Sequence, residues 1–216
     1  MNTKGKTMTH YDEQREGDQQ QKKYKIIYAD PPWHYGSKSA VNNTSGSDHK
    51  PLSDHYNTMS LAELKLLTIS EMTDKDAACF MWVTDSHLDE AIEIFKAWGF
   101  KYKTIAFNWV KTTSKGNYCK NVAPWTMKSS EICLLGTKGA MTKYKQVNNI
   151  ESLVIAERTK HSRKPEEVRK RIELLFGDLP RLEMFARQAS KGWDVFGNEA
   201  PNSIEINNKH VATNNE

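Results

Sequence analysis

Lys25-Ile26-Ile27-Tyr28-Ala29-Asp30-Pro31-Pro32-Trp33 decides how this chain folds. The run from Lys25 to Ala29 is short and largely apolar, which reads as a buried strand. Two prolines then close it, because each fixes φ and has no N–H for a ladder. Asp30 thus stands at a strand's carboxyl end. Outward from this point, strand and helix patterns alternate. Ser60 and Glu63 have capping-box spacing, so a helix starts after Ser60. Residues 77–83 (AACFMWV) read as a buried strand. Residues 86–98 are the clearest helix: Leu88, Ala91, Ile92, Phe95 and Trp98 share one face, and Gly99 stops it. Residues 100–110, 131–135 and 153–156 read as strands. Pro165 in a first turn opens a helix with Val168, Ile172, Leu175 and Phe176 inward, ended by Gly177. Residues 181–186 and 193–196 are the last strands. Strands separated by helices predict an α/β fold with a mostly parallel sheet. Ligands bind beyond the carboxyl ends of such strands, so two ends matter: the one at Asp30 and the one at Arg187.

The 216 residues suit one domain with tails. Residues 1–23 and 200–216 are polar and read as disordered tails around a domain at 24–199. A hydrophobic fraction of 38% with six Trp, eight Tyr and seven Phe excludes a wholly disordered chain, despite a mean hydropathy of −0.74. No apolar run approaches the ~18 residues of a membrane span, and the first residues lack the apolar core of a secretory signal. Three cysteines (Cys79, Cys119, Cys133) without metal-ligand spacing fit a reducing compartment, and the expected location is the cytoplasm. The seven histidines are scattered, so no metal site is expected. Residues 34–57 form a long polar segment, and such loops are functional or disordered. Met72, Met81 and Met184 read as core, as do Trp82 and Trp98.

Net charge is +4, but its distribution says more. Residues 101–145 hold nine lysines and one acid, Glu131; residues 158–171 hold seven Lys/Arg against Glu166 and Glu167. Such stretches suit a polyanion partner, the plain alternative being a solvated lysine-rich surface.

Asp30-Pro31-Pro32-Trp33 is an acceptor-only corner. The proline nitrogens carry no hydrogen, so the corner offers the Asp30 carboxylate, the Pro31 carbonyl and an indole. It suits an amino group on a flat ring, with the amine donating and the ring stacked on Trp33, a contact worth about 1–3 kcal/mol. The alternative is a rigid turn anchored by its Trp.

YADPPWHY, HYNTMSLAEL, FMWVTDSHLDEA, AWGFKY, NWVKT, EICLLG, HSRKPEEVRKRIELLFG, RLEMFARQ and GWDVFGNE occur in that order. Together they resemble the MT-A70 family of S-adenosylmethionine-dependent adenine N6-methyltransferases, of the short bacterial and phage type, from about residue 26 to 199. The resemblance implies a class I methyltransferase (Rossmann-like) sheet with permuted motif order, the catalytic motif preceding the cofactor motif. It implies catalytic roles for Asp30, Pro31, Pro32 and Trp33, and S-adenosylmethionine as methyl donor. On the cofactor side it implies Ala29, Asp30, Ser162, Lys164, Phe185, Arg187, Asn198 and Glu199. Lys164, with the first-turn amides after Pro165, would receive the methionine carboxylate. On the substrate side it implies Tyr56 closing over the base, then Lys111, Trp125, Lys128 and Glu131. Glu199 stands where some eukaryotic relatives carry Gln.

The expected partner is nucleic acid, DNA in preference to RNA, with no membrane and a homodimer as the expected assembly. Lys115, Lys120, Lys128, Lys143 and Lys145 suit phosphate contacts. The rival readings are an RNA adenine methyltransferase, a non-catalytic nucleic-acid-binding subunit, and a methyltransferase for a small amine or amide.

Overall fold

A computed structural model describes residues 22–34, 58–123, 125–159, 163–197 and 199–206. Seven strands form one sheet: β1 (Tyr24–Ala29), β2 (Thr73–Val83), β3 (Lys101–Thr112), β4 (Ser130–Lys138), β5 (Leu153–Glu157), β6 (Arg181–Ala186) and β7 (Asp194–Gly197). Their spatial order is β5-β3-β4-β2-β1-β6-β7. Four pairings are parallel and two antiparallel, so the sheet is mixed. Both antiparallel pairings involve β4. The chain turns back from β3 to β4 without a crossover helix, and a direct return reverses strand direction.

The sheet's burial on both faces explains its apolar strands. On one face, α1 (Leu61–Leu66) and α3 (Leu88–Ala97) cover Ile27, Cys79, Met81 and Leu134. On the other, α4 (Glu166–Phe176) presses Val168, Ile172 and Phe176 against Ile26, Phe80 and Trp109. A one-turn helix α2 (Ile69–Met72) leads into β2. The Ser60–Glu63 capping box is formed in both directions. Trp98 donates its indole N–H to the Leu64 carbonyl at 2.8 Å, tying α3 to α1. Met72, Met81, Met184, Trp82 and Trp98 are buried.

Several expectations shift. A 3-10 turn, Asp85–His87, precedes α3 and resets its phase. Leu88 is therefore 43% exposed, and Ala91, Ile94, Phe95 and Trp98 make the buried stripe. Pro165 is the N-cap of α4 rather than its first helical residue. Residues 22–23 and 200–206 are docked, not tail-like. Lys22 pairs with Asp194 at 2.6 Å, the Ser203 N–H donates to the Val195 carbonyl at 2.9 Å, and Ile204 and Ile206 pack on the core. Residues 1–21 and 207–216 lie outside the described residues. Among the described residues no helix is long and apolar enough to cross a membrane.

Strand order reverses at β1. Its successor β2 lies on one side, and β6 arrives parallel on the other. Such a switch point opens a crevice at the carboxyl ends of the two strands, here at Asp30 and Arg187.

Candidate active site

Asp30 leaves β1 with its N–H on the Met184 carbonyl at 3.4 Å, so β6 holds the strand end in place. The proline corner is a tight turn. The Pro31 carbonyl accepts the Trp33 N–H at 2.9 Å, and the Pro32 carbonyl accepts the Met59 N–H at 2.9 Å. Pro31 is buried, and one lone pair of its carbonyl is taken; the second remains.

Trp33 is placed differently from the expected open plate. The residue is 6% exposed; its ring lies 5.2 Å from the His87 ring at 28°, and its indole N–H donates to the Trp82 carbonyl at 3.3 Å. One face of the indole is thus packed against the buried His87 ring, and these contacts anchor the turn.

Lys164, just before the N-cap of α4, reaches Asp30 with both carboxylate oxygens in range, at 2.8 and 2.9 Å. It also lies 3.4 Å from Glu131 and 5.6 Å above the Trp82 ring. Glu131 in turn pairs with Lys111. Four side chains, from the end of β1, the segment before α4, β4 and β3, thus alternate in charge, Asp30–Lys164–Glu131–Lys111. Lys164, Glu131 and Lys111 have side chains only 9–16% exposed. Burial opposes the charge on Lys164, yet Asp30 and Glu131 outweigh it and hold its pKa above the ordinary lysine value. Burial likewise works against the Glu131 carboxylate, and Lys164 with Lys111 overcomes it, so its pKa lies below the usual range. The N-terminus of α4 is answered by its own first-turn acids, Glu166 and Glu167.

Beside this chain of charges β6 ends irregularly. Phe185 is the non-glycine residue with positive φ (61°) among the described residues, and the pairing with β7 slips there. A bulky residue in the left-handed region stores about 1–2 kcal/mol of strain. Its ring is buried, edge-on to Phe196. Arg187 follows and faces Glu199 at 3.7 Å, and the Glu199 N–H reaches the Ala186 carbonyl at 3.3 Å. Tyr28, Asp30, Lys164, Glu183, Phe185 and Arg187 line one cavity, whose enclosed part holds about 40 Å³. That takes one end of a small molecule, with the remainder along the open carboxyl edge. Two cations, Arg163 and Lys164, at its wall fit a carboxylate, and Glu199 fits hydroxyl donors. The residues present therefore fit an amino-acid-bearing nucleoside.

The residues implied for the site divide cleanly. Ala29, Asp30, Lys164, Phe185, Arg187, Glu199, Lys111 and Glu131 converge at the carboxyl edge. Trp125 does not: it is 95% exposed in the β3–β4 connection. Lys128 is engaged by Asp85 at 2.7 Å rather than free for phosphate. Tyr56, Ser162 and Asn198 lie outside the described residues. The basic stretch is split by the fold. Lys111, Lys115, Lys120 and Lys128 lie at the catalytic end of the sheet, whereas Lys101, Lys138 and Lys143 lie at the other. Lys143 pairs with Asp76 there at 2.6 Å.

The sequence reading missed a supporting pair. Arg169, on the inner side of α4, binds both carboxylate oxygens of Glu183 on β6, at 2.9 and 3.0 Å, and also Glu166. Burial pushes the Glu183 carboxyl up, and Arg169 partly offsets it. A charge inside the apolar run LEMFA was the available signal, since a buried carboxylate needs a partner.

Comparison with known proteins shows the family. The MT-A70 family model matches residues 24–199. The chain is 36% identical over 196 residues to Type II methyltransferase M.MunI of Mycoplasma sp, covering 86% of this chain and 82% of that one. It is 28% identical over 188 residues to N(6)-adenosine-methyltransferase MT-A70-like of Arabidopsis thaliana, with 85% of this chain covered. It is 27% identical over 181 residues to the N(6)-adenosine-methyltransferase catalytic subunit METTL3 of Homo sapiens, with 82% covered. Against these last two the chain spans only 24% and 28% of their length. The matched span contains the whole sheet, from Tyr24 to Gly197, and the chain belongs to the MT-A70 family.

Proposed function

We propose that this protein transfers a methyl group from S-adenosylmethionine to N6 of adenine in DNA. The observation that carries it is the convergence of Asp30, Lys164, Glu131 and Lys111 at the switch point of a sheet that lies within the MT-A70 match. DNA is favoured over RNA because the relative that matches over most of both chains is named a type II methyltransferase. The same reading includes a class I methyltransferase sheet with permuted motif order, since the Asp30 corner precedes the Phe185 strand end in the chain. It also includes a cytoplasmic location, and a homodimer, because one small domain offers little surface to grip a duplex.

Adenine N6 is a poor nucleophile, its lone pair being delocalised into the ring. Asp30 and the free lone pair of the Pro31 carbonyl accept its two hydrogens. That orients the nitrogen lone pair outward and stabilises the positive charge that develops on it. S-adenosylmethionine, when bound, supplies a sulfonium methyl as electrophile. Asp30 or solvent then takes the N6 proton. Trp33 acts as a positioning residue, pinning the turn through His87 and Trp82. Lys164 receives the methionine carboxylate at a cost: its ammonium must leave at least one oxygen of Asp30, which then becomes available to N6. Glu131 keeps the displaced ammonium paired. Phe185, Arg187 and Glu199 border the donor; the family resemblance adds Ser162 and Asn198 as donor contacts and Tyr56 as a base contact.

Labelled methyl transfer to unmethylated DNA by the purified chain tests this, with mapping of methylated adenines. Transfer that is lost in Asp30→Ala supports it. Absence of transfer to any DNA or RNA, with nucleic-acid binding retained, favours the non-catalytic subunit instead.

A further inference from the structure

Among the described residues, the β3–β4 connection (113–123 and 125–129) carries the most exposed large apolar side chains. Val122 is 80% exposed, Trp125 95% and Met127 58%. Single exposed apolar side chains are ordinary, but three within six residues at one tip are not.

The stem beneath the tip is firmly built. Asn121 and Lys128 exchange both backbone hydrogen bonds, at 2.9 and 2.8 Å. Cys119 is buried, its N–H donates to the Lys111 carbonyl at 2.8 Å, and its carbonyl accepts the Ser129 hydroxyl at 2.6 Å. Arg158 braces Asn121 at 2.9 Å, and Lys128 is pinned to Asp85 at 2.7 Å. The apolar tip is thus held out on a rigid support.

Two features say what it meets. Between Thr112 and Glu131 the chain carries Lys115, Lys120 and Lys128 and no acid. Lys115 and Lys120 are exposed on the same projection. Apolar side chains flanked by the exposed Lys115 and Lys120 complement a polyanion with a stacked apolar interior, which is a nucleic-acid duplex. The stem also rises directly from the catalytic groups: Lys111 and Glu131 stand at its two feet and join Lys164 and Asp30. Trp125 is six residues from Glu131, at most about 20 Å along the chain. A duplex whose adenine enters the Asp30 corner passes within its reach.

We propose that Val122, Trp125 and Met127 form a wedge that enters the base stack of duplex DNA and holds open the gap left by the everted adenine. This rests on the function proposed above and deepens it. An adenine inside a duplex cannot reach Asp30, and extrusion leaves unstacked neighbours that apolar side chains can cover. Lys115 and Lys120 hold the flanking phosphates.

The test compares initial methylation rates on a duplex carrying a mapped target adenine and on the isolated strand. Trp125→Ala is expected to lower the duplex-to-single-strand ratio by about tenfold or more, Val122→Ala with Met127→Ala to do so less, and Trp125→Phe to restore most of it. Replacing the target adenine by 2-aminopurine gives a second readout: the fluorescence rise on binding falls with Trp125→Ala. An unchanged ratio with an unchanged rise overturns the wedge while leaving the methyltransferase reading intact. No methylation of either substrate by the wild-type chain overturns that reading and the wedge with it. A lost ratio accompanied by dissociation of a wild-type dimer assigns the tip to a contact between copies and also overturns the wedge.

Discussion

Lys164 Nζ lies 2.8 Å from one carboxylate oxygen of Asp30 and 2.9 Å from the other. The proposed base-holding group and the proposed donor-holding group are therefore each other's partner before any ligand arrives. A ligand carboxylate that draws Lys164 away leaves Asp30 free to accept, so binding of the donor prepares the site for the base. The predicted consequence is ordered: Lys164→Ala weakens donor binding about ten- to a hundredfold, the worth of one charge-assisted hydrogen bond. Calorimetry with S-adenosylmethionine checks it, and unchanged affinity removes Lys164 from the carboxylate.

Asp30→Asn keeps an acceptor but loses the charge. Methyl transfer is expected to fall by about a hundredfold or more, with circular dichroism unchanged. A variant as active as the wild type would take Asp30 out of the chemistry.

The pH dependence of stability follows from the charge chain. Glu131 has its pKa held down: burial opposes its charge, but Lys164 and Lys111 win. Its contribution is present above the unfolded value of about 4.3 and is lost as pH falls through the lower folded value. Lys164 has a raised pKa, so its contribution is present below about 10.4 and is lost as pH rises through the higher folded value. Glu131→Gln is expected to lower the urea midpoint near neutral pH, and the gap from wild type to close in acid. A gap that does not narrow at all as pH falls below the unfolded carboxyl value contradicts the pairing.

Arg169 and Glu183, with side chains 10% and 11% exposed, support the floor of the cavity. Arg169→Met strands a buried carboxylate and should lower unfolding free energy by about 3–5 kcal/mol. The double variant Arg169→Met with Glu183→Leu should recover most of it. Urea unfolding of the three proteins decides whether the pair is a matched unit.

Gly136 on β4 leaves no room for a side chain: a Cβ there would sit 2.7 Å from the Phe95 ring. Gly136→Ala is expected to destabilise by about 1–3 kcal/mol through overpacking under α3, measured by urea unfolding. A neutral effect would mean that α3 shifts freely on the sheet.

Local chemistry carried much of the fold. The proline stop after Ala29, the Ser60–Glu63 cap and the periodicity that ends at Gly177 are decided within a few residues, so they could be read directly. The nine ordered blocks likewise exposed the family and the residues beside the cavity. The apolar pattern stops short of the full strands, because the charged start of β2 (Asp74–Asp76) and the lysines near the ends of β3 and β4 (Lys111, Lys138) break it while the backbones still pair.

What the sequence by itself determined is the order of elements, the two strand ends that matter and the acceptor character of the Asp30 corner. These rest on dihedral restriction, hydrogen-bond inventory and periodicity, all properties of neighbours along the chain. Only the tertiary structure decided that Lys164 meets Asp30 across 134 positions, that Trp33 turns inward onto His87, and that one run of lysines is parted to opposite ends of the sheet. Those outcomes depend on which strands lie side by side and in which direction. Pairing of distant segments is set by the burial of whole faces, and no stretch of sequence carries it alone.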